Sequence, residues 1–130
     1  MDGESDFAAR TVLLVEEDLN LALSCKSELE AQGFRVMYTQ SGREALELFA
    51  REKIDLVVSG ISLPDMPGMD LIESFAACQK RIPIVANTDD YSYKQSFRSW
   101  AADAIIEKSS DAHALFAMVT TLLQSPKFVH

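Results

Sequence analysis

The sequence predicts an α/β protein built on a parallel sheet that helices cover on both faces. Apolar runs at 12–15, 56–58 and 84–86 are short and rich in aliphatic residues, without polar residues in alternation. Such runs are typical of strands that are buried on both faces. Each run is followed by apolar residues at helical spacing. Buried strands that alternate with amphipathic helices predict parallel pairing and right-handed crossover connections.

In each of the first two strand–helix units, specific residues mark one end of the helix. After the strand at 12–15 a helix follows, and Gly33 ends it. After a second strand at 34–38, Ser41 and Glu44 form a predicted capping box. In this box the serine accepts from the glutamate's amide, and the glutamate accepts from the serine's amide. The apolar faces of the two helices are Ala22, Cys25 and Leu29, then Ala45, Leu46, Leu48 and Phe49.

Three more units complete a fivefold strand–helix alternation. The strand at 56–58 precedes a loop at 64–68, where two prolines and a glycine exclude regular structure. Strands at 84–86 and 104–106 follow, and Asp111 is the predicted cap of the last helix. The three helices have apolar faces made of Leu71, Ile72 and Phe75, of Tyr93, Phe97, Trp100 and Ala101, and of Leu115, Val119, Leu122 and Leu123.

The length and charge of the chain limit its organisation and its partners. We expect a flexible tail at 1–10, one folded domain at 11–125 and a C-terminal tail or linker start at 126–130. The net charge of −8 opposes binding to nucleic acid and to an anionic membrane surface. The acidic N-terminus is no signal peptide and no apolar run would span a bilayer, so a cytoplasmic location is expected. Cys25 and Cys78 are interpreted as buried thiols.

The stretch at 55–72 resembles the third strand and following loop of response-regulator receiver domains, the CheY-like family. In that family an apolar strand is followed by the phosphorylated aspartate, an apolar residue, any residue, Met or Leu, and Pro. The residues that fit this pattern are Ile61, Ser62, Leu63 and Pro64. Gly60 stands where the family carries its aspartate. The resemblance, over about 10–125, implies a flavodoxin-like doubly wound sheet with strand order 2-1-3-4-5.

The resemblance also implies a set of site residues. A phosphorylatable receiver holds Mg²⁺ with three carboxylates, and the metal and a lysine neutralise the transferred phosphoryl group. Glu16 and Glu17 match two of the carboxylates, Thr88 matches a hydroxyl that binds the phosphoryl group, and Lys108 matches the lysine. Gly60 can neither ligate a metal nor accept phosphate. No cofactor is therefore expected, apart from weakened Mg²⁺ binding at Glu16 and Glu17.

Four further positions depart from the family pattern. Ile105 replaces the aromatic switch residue of strand five, and Ser109 replaces the proline after the lysine. Asp89 stands where a small residue is expected, and Ala101 where glycine is usual. These changes describe a pocket that no longer serves a phosphorylation cycle.

The candidate residues also have structural interpretations. The acids at 16–18 suit a solvated helix start, and Lys108 could reach across to them as an ion pair that replaces the metal. Trp100 could belong to the core. Alternatively Tyr91, Tyr93 and Trp100 border an interaction surface, because aromatic side chains are enriched at binding hot spots. In the family, the usual docking surface is the face formed by the fourth helix, the fifth strand and the fifth helix.

We therefore expect an atypical receiver domain of two-component signalling that is not an enzyme. It would act without phosphorylation as a protein-interaction or regulatory module, with a histidine kinase, an output domain or a second copy as partner. Three alternatives stay open. They are phosphorylation at Ser59, Ser62 or Asp65, an engineered Asp-to-Gly change at Gly60, and a small-ligand binder or enzyme on the same fold, for which no phosphate loop or Ser-His-Asp set is evident.

Overall fold

A computed structural model describes residues 10–78, 82–88, 102–108 and 112–125. The strands are β1 (Thr11–Val15), β2 (Arg35–Thr39), β3 (Leu56–Gly60), β4 (Ile84–Thr88) and β5 (Ala104–Glu107), and the helices are α1 (Leu19–Ala31), α2 (Gly42–Arg51), α3 (Gly68–Ala77) and α4 (Ala112–Leu123). All strands pair in parallel, in the order β2-β1-β3-β4-β5. The predicted fold class and strand order are confirmed.

Several predicted features lie outside the described residues. These are the terminal tails, apart from residue 10, the predicted helix around Tyr93, Phe97 and Trp100, and the predicted cap Asp111. The helix α4 therefore corresponds to the fifth helix predicted from the sequence. Among the described residues, no helix has the length and hydropathy that a membrane span requires.

The two faces of the sheet bury separate apolar clusters. In β1, Val12 and Leu14 pack with α1 and α4 on one face, while Leu13 and Val15 pack with α2 and α3 on the other. All four side chains are fully buried. Successive strand residues point to opposite faces, so a strand covered on both sides needs a continuous apolar run. This explains the pattern at 12–15.

The end of α1 confirms the predicted role of Gly33. Its φ of 103° lies in the left-handed region, which glycine adopts without a steric penalty. The Phe34 amide donates to the Leu29 carbonyl at 3.1 Å, and the Gly33 amide donates to the Glu30 carbonyl at 3.0 Å. These two bonds form a Schellman motif, which satisfies carbonyls at the helix end.

The predicted capping box at α2 is half right. The Glu44 amide donates to Ser41 Oγ at 3.1 Å, as predicted. The Glu44 carboxylate, however, accepts from the Thr39 hydroxyl and does not reach back to the Ser41 amide. That amide donates to Thr39 Oγ1 at 3.0 Å. Thr39 ends β2 and lies between the two groups, so its hydroxyl satisfies both of them.

The prediction that both cysteines are buried is correct for Cys25 and wrong for Cys78. Cys25 lies on the buried face of α1, where burial and the negative charge of Glu16 raise the pKa of its thiol to about 11. The helix α3 ends at Ala77. Cys78 is therefore the exposed C-cap residue instead of a member of the buried helix face.

Candidate functional site

The predicted site residues lie at the carboxyl edge of the sheet. Gly60 and Thr88 are the last residues of β3 and β4, and Glu16 and Lys108 directly follow β1 and β5. Both β3 and β4 run two residues beyond the predicted strands. Carboxyl ends of parallel strands meet at one edge, where ligands bind in open α/β sheets. We call Glu16, Gly60, Thr88 and Lys108 the strand-end cluster.

A partly buried ion pair forms the centre of the strand-end cluster. The Lys108 ammonium donates to Glu16 Oε2 at 2.8 Å, and the Glu16 side chain is only 1% exposed. The Asp18 amide donates to the same oxygen at 2.9 Å. The other oxygen, Oε1, is buried and has no hydrogen-bond partner among the described residues. One carboxylate oxygen therefore takes both donors.

The unpartnered oxygen faces Gly60. A Cβ atom built on Gly60 would lie 3.1 Å from Glu16 Oε1 and 3.5 Å from the Val15 carbonyl. The Glu16 carboxylate therefore borders the position that the first side-chain atom of a larger residue would take. An acidic side chain at position 60 would require Glu16 to shift by a few tenths of an ångström.

Glu17 does not join Glu16 in the strand-end cluster. Its side chain is exposed, whereas Glu16 is buried. The Glu17 carbonyl accepts from Gln40 Nε2 at 3.0 Å. The resemblance treats the two glutamates as one acidic pair, and the structure separates their environments. Asp18, the third acid, caps α1 by accepting from the Leu21 amide at 3.1 Å.

These positions do not fit a Mg²⁺ cage. Magnesium prefers near-octahedral oxygen coordination and several carboxylate or water ligands. Here Glu16 is engaged by Lys108, Glu17 is exposed and Gly60 offers no side-chain oxygen. Within the described ranges, no group of three or more His, Cys, Asp or Glu side chains is arranged to hold a metal ion.

The remaining candidates fall into two groups. Thr88 is buried, and its carbonyl accepts from the Lys108 amide at 2.8 Å. Ile105 is half-buried and packs against the apolar cluster beside α2 and α3. The candidates outside the described residues are Tyr91, Tyr93 and Trp100, together with the departures Asp89, Ala101 and Ser109.

Two contributors were missed by the sequence reasoning. The Tyr38 hydroxyl donates to the Glu16 carbonyl at 3.1 Å, and burial beside negative Glu16 raises the pKa of Tyr38. Gln40 fixes the carbonyl of Glu17, as described above. Tyr38 lies in β2, which pairs with β1, and Gln40 directly follows β2. The sequence indicates these two residues only because polar side chains end the partly alternating strand predicted at 34–38.

Asp65 has a structural function that its loop position does not indicate. Its carboxylate accepts from Ser41 Oγ at 2.8 Å, from the Gly42 amide at 2.9 Å and from the Arg43 amide at 3.0 Å. These bonds stabilise the anion and lower the pKa of Asp65 to about 2. Asp65 thereby fastens the loop after β3 to the N-terminus of α2.

We expect Asp65→Ala to lower the thermal unfolding midpoint by about 3 °C at pH 7. Because folding depresses the pKa of Asp65 from 3.8 to about 2, the charged carboxylate stabilises the fold above pH 4. That contribution is lost as the pH falls from 4 towards 2. Thermal unfolding at pH 7, 4 and 2.5 measures this loss. Asp65→Asn keeps the shape and is the control, and a pH-independent difference would contradict the prediction.

The comparisons with known proteins agree with the observed fold. A family model described as response regulator receiver domain matches residues 12–120. A CheY-like receiver domain protein of Methanospirillum hungatei JF-1 superposes with a TM-score of 0.83 at 26% identity, covering 89% of this chain and 94% of that one. TrrA of Thermotoga maritima, solved with Mg²⁺–BeF, has a TM-score of 0.81 at 28% identity, with coverages of 87% and 98%.

Two curated Escherichia coli K12 proteins are similar over most of this chain. The aerobic respiration control sensor protein ArcB is 35% identical over 123 residues, which are 91% of this chain and 16% of ArcB. The transcriptional regulatory protein GlrR is 28% identical over 115 residues, with coverages of 87% and 26%. The chain thus spans only a minor part of these relatives. With the family match and the β2-β1-β3-β4-β5 sheet, they show that the chain belongs to the response regulator receiver domain family of two-component signalling.

Proposed function

We propose that this receiver domain acts without aspartyl phosphorylation, as a binding module that recognises a protein partner. The observation that carries the proposal is Gly60 at the end of β3, beside a Glu16 carboxylate already paired with Lys108. Phosphoryl transfer to a receiver needs an acceptor carboxylate and a metal ion. Gly60 supplies no acceptor carboxylate, and the Glu16 carboxylate is already paired with the Lys108 ammonium. Receiver domains interact with kinases and output domains, and this chain would keep such contacts.

Other acceptor residues are engaged in structural bonds. Ser59 is fully buried, and its hydroxyl donates to the Gly60 carbonyl at 3.0 Å. Asp65 accepts three hydrogen bonds from the start of α2. Ser62 is exposed in the loop after β3, where it forms an isolated antiparallel bridge with Pro67. These contacts favour the phosphorylation-independent interpretation over a relocated phosphorylation site.

The absence of a ring at Ile105 supports the same proposal. Phosphorylation switches act by biasing an element that has two discrete arrangements. Ile105 pairs in register with Ala86 of the neighbouring strand and packs into an apolar cluster. An aliphatic side chain held in this way offers neither a hydroxyl nor a ring to carry a signal outward. Partner binding would then depend on the resting surface of the domain.

We expect neither phosphoryl transfer nor phosphoryl-analogue binding by this chain. The intact mass should be unchanged after incubation with acetyl phosphate and Mg²⁺. Amide NMR shifts should stay unchanged in a titration with Mg²⁺ and beryllofluoride. TrrA, whose structure contains Mg²⁺–BeF, is the positive control for the titration. A stoichiometric phosphoryl adduct on any residue would overturn the proposal.

We also expect that a carboxylate introduced at position 60 creates a Mg²⁺ response that the chain with Gly60 lacks. Gly60→Asp places a second carboxylate beside Glu16, because the Cβ atom at position 60 would lie 3.1 Å from Glu16 Oε1. Gly60→Asn has nearly the same volume without the charge. In EDTA the aspartate variant should be less stable than the asparagine variant by about 1.4 kcal/mol, the equivalent of one pKa unit.

Magnesium should remove most of this difference, because an added cation offsets the repulsion between the carboxylates. Thermal unfolding with EDTA and with 10-fold steps of Mg²⁺ measures the effect. The chain with Gly60 should not respond beyond the shift of the asparagine variant. An equal Mg²⁺ response in the chain with Gly60 would show that Glu16 and Glu17 suffice for the metal.

A further inference from the structure

Two adjacent leucines lie on the surface of α1. Leu19 and Leu23 are each 50% exposed, and they are the exposed large hydrophobic side chains of the described residues. They are four residues apart, so they lie on one face of the helix. We call them the leucine pair. The buried face of α1 is formed by other residues, namely Ala22, Cys25 and Leu29. The leucine pair therefore does not serve the core.

The neighbouring helix packs on the other side of α1. Glu28 lies nine residues after Leu19, which places it about half a turn away around the helix. Its carboxylate lies 4.0 Å from His113 Nδ1 of α4. The contact with α4 therefore forms on the side opposite Leu19, and α4 leaves the leucine pair uncovered.

The surface next to the leucine pair is acidic and held in place. Glu17 and Asp18 are exposed directly before Leu19, and we call them the acidic rim. Gln40 binds the Glu17 carbonyl at 3.0 Å, and the Asp18 amide donates to buried Glu16 at 2.9 Å. Because these bonds hold the backbone of the rim before binding, the backbone loses little conformational entropy when a partner docks.

The charges at the other end of the leucine pair cancel. Lys26 lies one turn beyond Leu23 and pairs with Glu30 at 2.9 Å. Among the described residues, no cationic side chain forms a salt bridge with Glu17 or Asp18. Within the part of the chain that the structure describes, the surface thus combines an apolar pair with two acidic side chains at one end that have no salt-bridge partner. A complementary surface needs apolar side chains and, at that end, lysine or arginine.

We propose that the leucine pair and the acidic rim form the docking site for a basic amphipathic helix of a protein partner. The apolar stripe of that helix would cover Leu19 and Leu23, and its cationic side chains would face Glu17 and Asp18. This inference rests on the proposed function, since it names the partner that would bind without phosphate. A second copy fits poorly, because each copy carries a net charge of −8 and would present the same acidic rim.

The test uses two synthetic helical peptides that carry the same leucine stripe. One has lysines flanking the stripe, and the other has glutamates at those positions. Titration of the ¹⁵N-labelled chain in EDTA should show the lysine peptide shifting amides at 17–23, and 0.5 M salt should weaken binding at least fivefold. Leu19→Ser with Leu23→Ser should weaken binding at least tenfold, and Glu17→Lys at least threefold. Ala117→Ser, at an exposed position on α4, should leave binding unchanged.

Several outcomes would overturn the docking site. They are equal binding of both peptides, shifts confined to another face, full binding by the double serine variant, or self-association of the chain in sedimentation experiments. Circular dichroism checks that the double serine variant is folded. A parallel titration with Mg²⁺ and beryllofluoride separates the two proposals. Binding that requires these additives would keep the surface and reject phosphorylation independence, whereas absence of binding in both titrations would reject the surface alone.

Discussion

Replacing Lys108 with methionine is expected to lower the free energy of unfolding by about 3 kcal/mol. The Glu16 side chain is 1% exposed, and Lys108, at 15%, supplies its countercharge at 2.8 Å. Methionine keeps most of the aliphatic stem but leaves the carboxylate buried without a cation. An uncompensated buried charge costs more than the intact pair contributes, because water cannot replace the lost partner. Urea unfolding at pH 7 measures the change.

A second lysine in an exposed ion pair provides the matched control. Lys26→Met breaks the pair with Glu30 on the surface of α1 and should cost less than about 0.5 kcal/mol. Glu16→Gln combined with Lys108→Met should be more stable than the sum of the two single effects predicts, by about 1 kcal/mol or more. Equal losses of unfolding free energy for Lys108→Met and Lys26→Met would show that the strand-end ion pair stabilises the fold no more than an exposed pair does.

Gly68→Ala should also lower the free energy of unfolding by about 3 kcal/mol. A Cβ at this position would lie 2.4 Å from the Gly60 carbonyl oxygen and 2.5 Å from Ile61 Cα. These are backbone atoms at the end of β3, so they cannot rotate away. The Gly68 amide also donates to the Ile61 carbonyl at 2.8 Å. The start of α3 must therefore shift, together with the strand end that carries Gly60.

Gly42→Ala is the control for this substitution, because Gly42 begins α2 as Gly68 begins α3. A Cβ at Gly42 would lie 2.6 Å from Cγ and Sδ of Met66. Methionine is flexible and can rotate out of the way, so we expect a loss of no more than about 1 kcal/mol. Denaturant midpoints of the two variants, measured together, check the difference. Similar midpoints would contradict the contact geometry at Gly68.

Both predictions concern the end of β3, where Gly60 supplies no side-chain carboxylate. Lys108 and Glu16 neutralise each other in the strand-end cluster, and Gly68 packs on the backbone of Gly60. We therefore expect the ion pair and the glycine packing at this edge of the sheet to stabilise the fold. These contacts support the proposal that the domain binds a partner without a phosphorylation cycle.

The success of the sequence reasoning depended on the range of the interaction. Gly33 was identified from the chain alone because a helix stop involves only a few neighbouring residues. The continuous run at 12–15 was informative because burial on both faces removes the need for polar residues. The second half of the capping box failed because Thr39, in the preceding strand, competes for both groups. The contact of Asp65 with the start of α2 was not predicted, because its partners lie 22 to 24 residues earlier.

By itself, the sequence determined the α/β class, the strand–helix alternation and the absence of a carboxylate at position 60, because periodicity and residue identity are local properties. The resemblance to receiver domains added the strand order. Only the tertiary structure decided that Glu16 is buried against Lys108 while Glu17 is exposed, and that Leu19 and Leu23 stay on the surface. Those outcomes depend on which side chains meet across the sheet edge, and residues 92 positions apart in the chain come into contact only after folding.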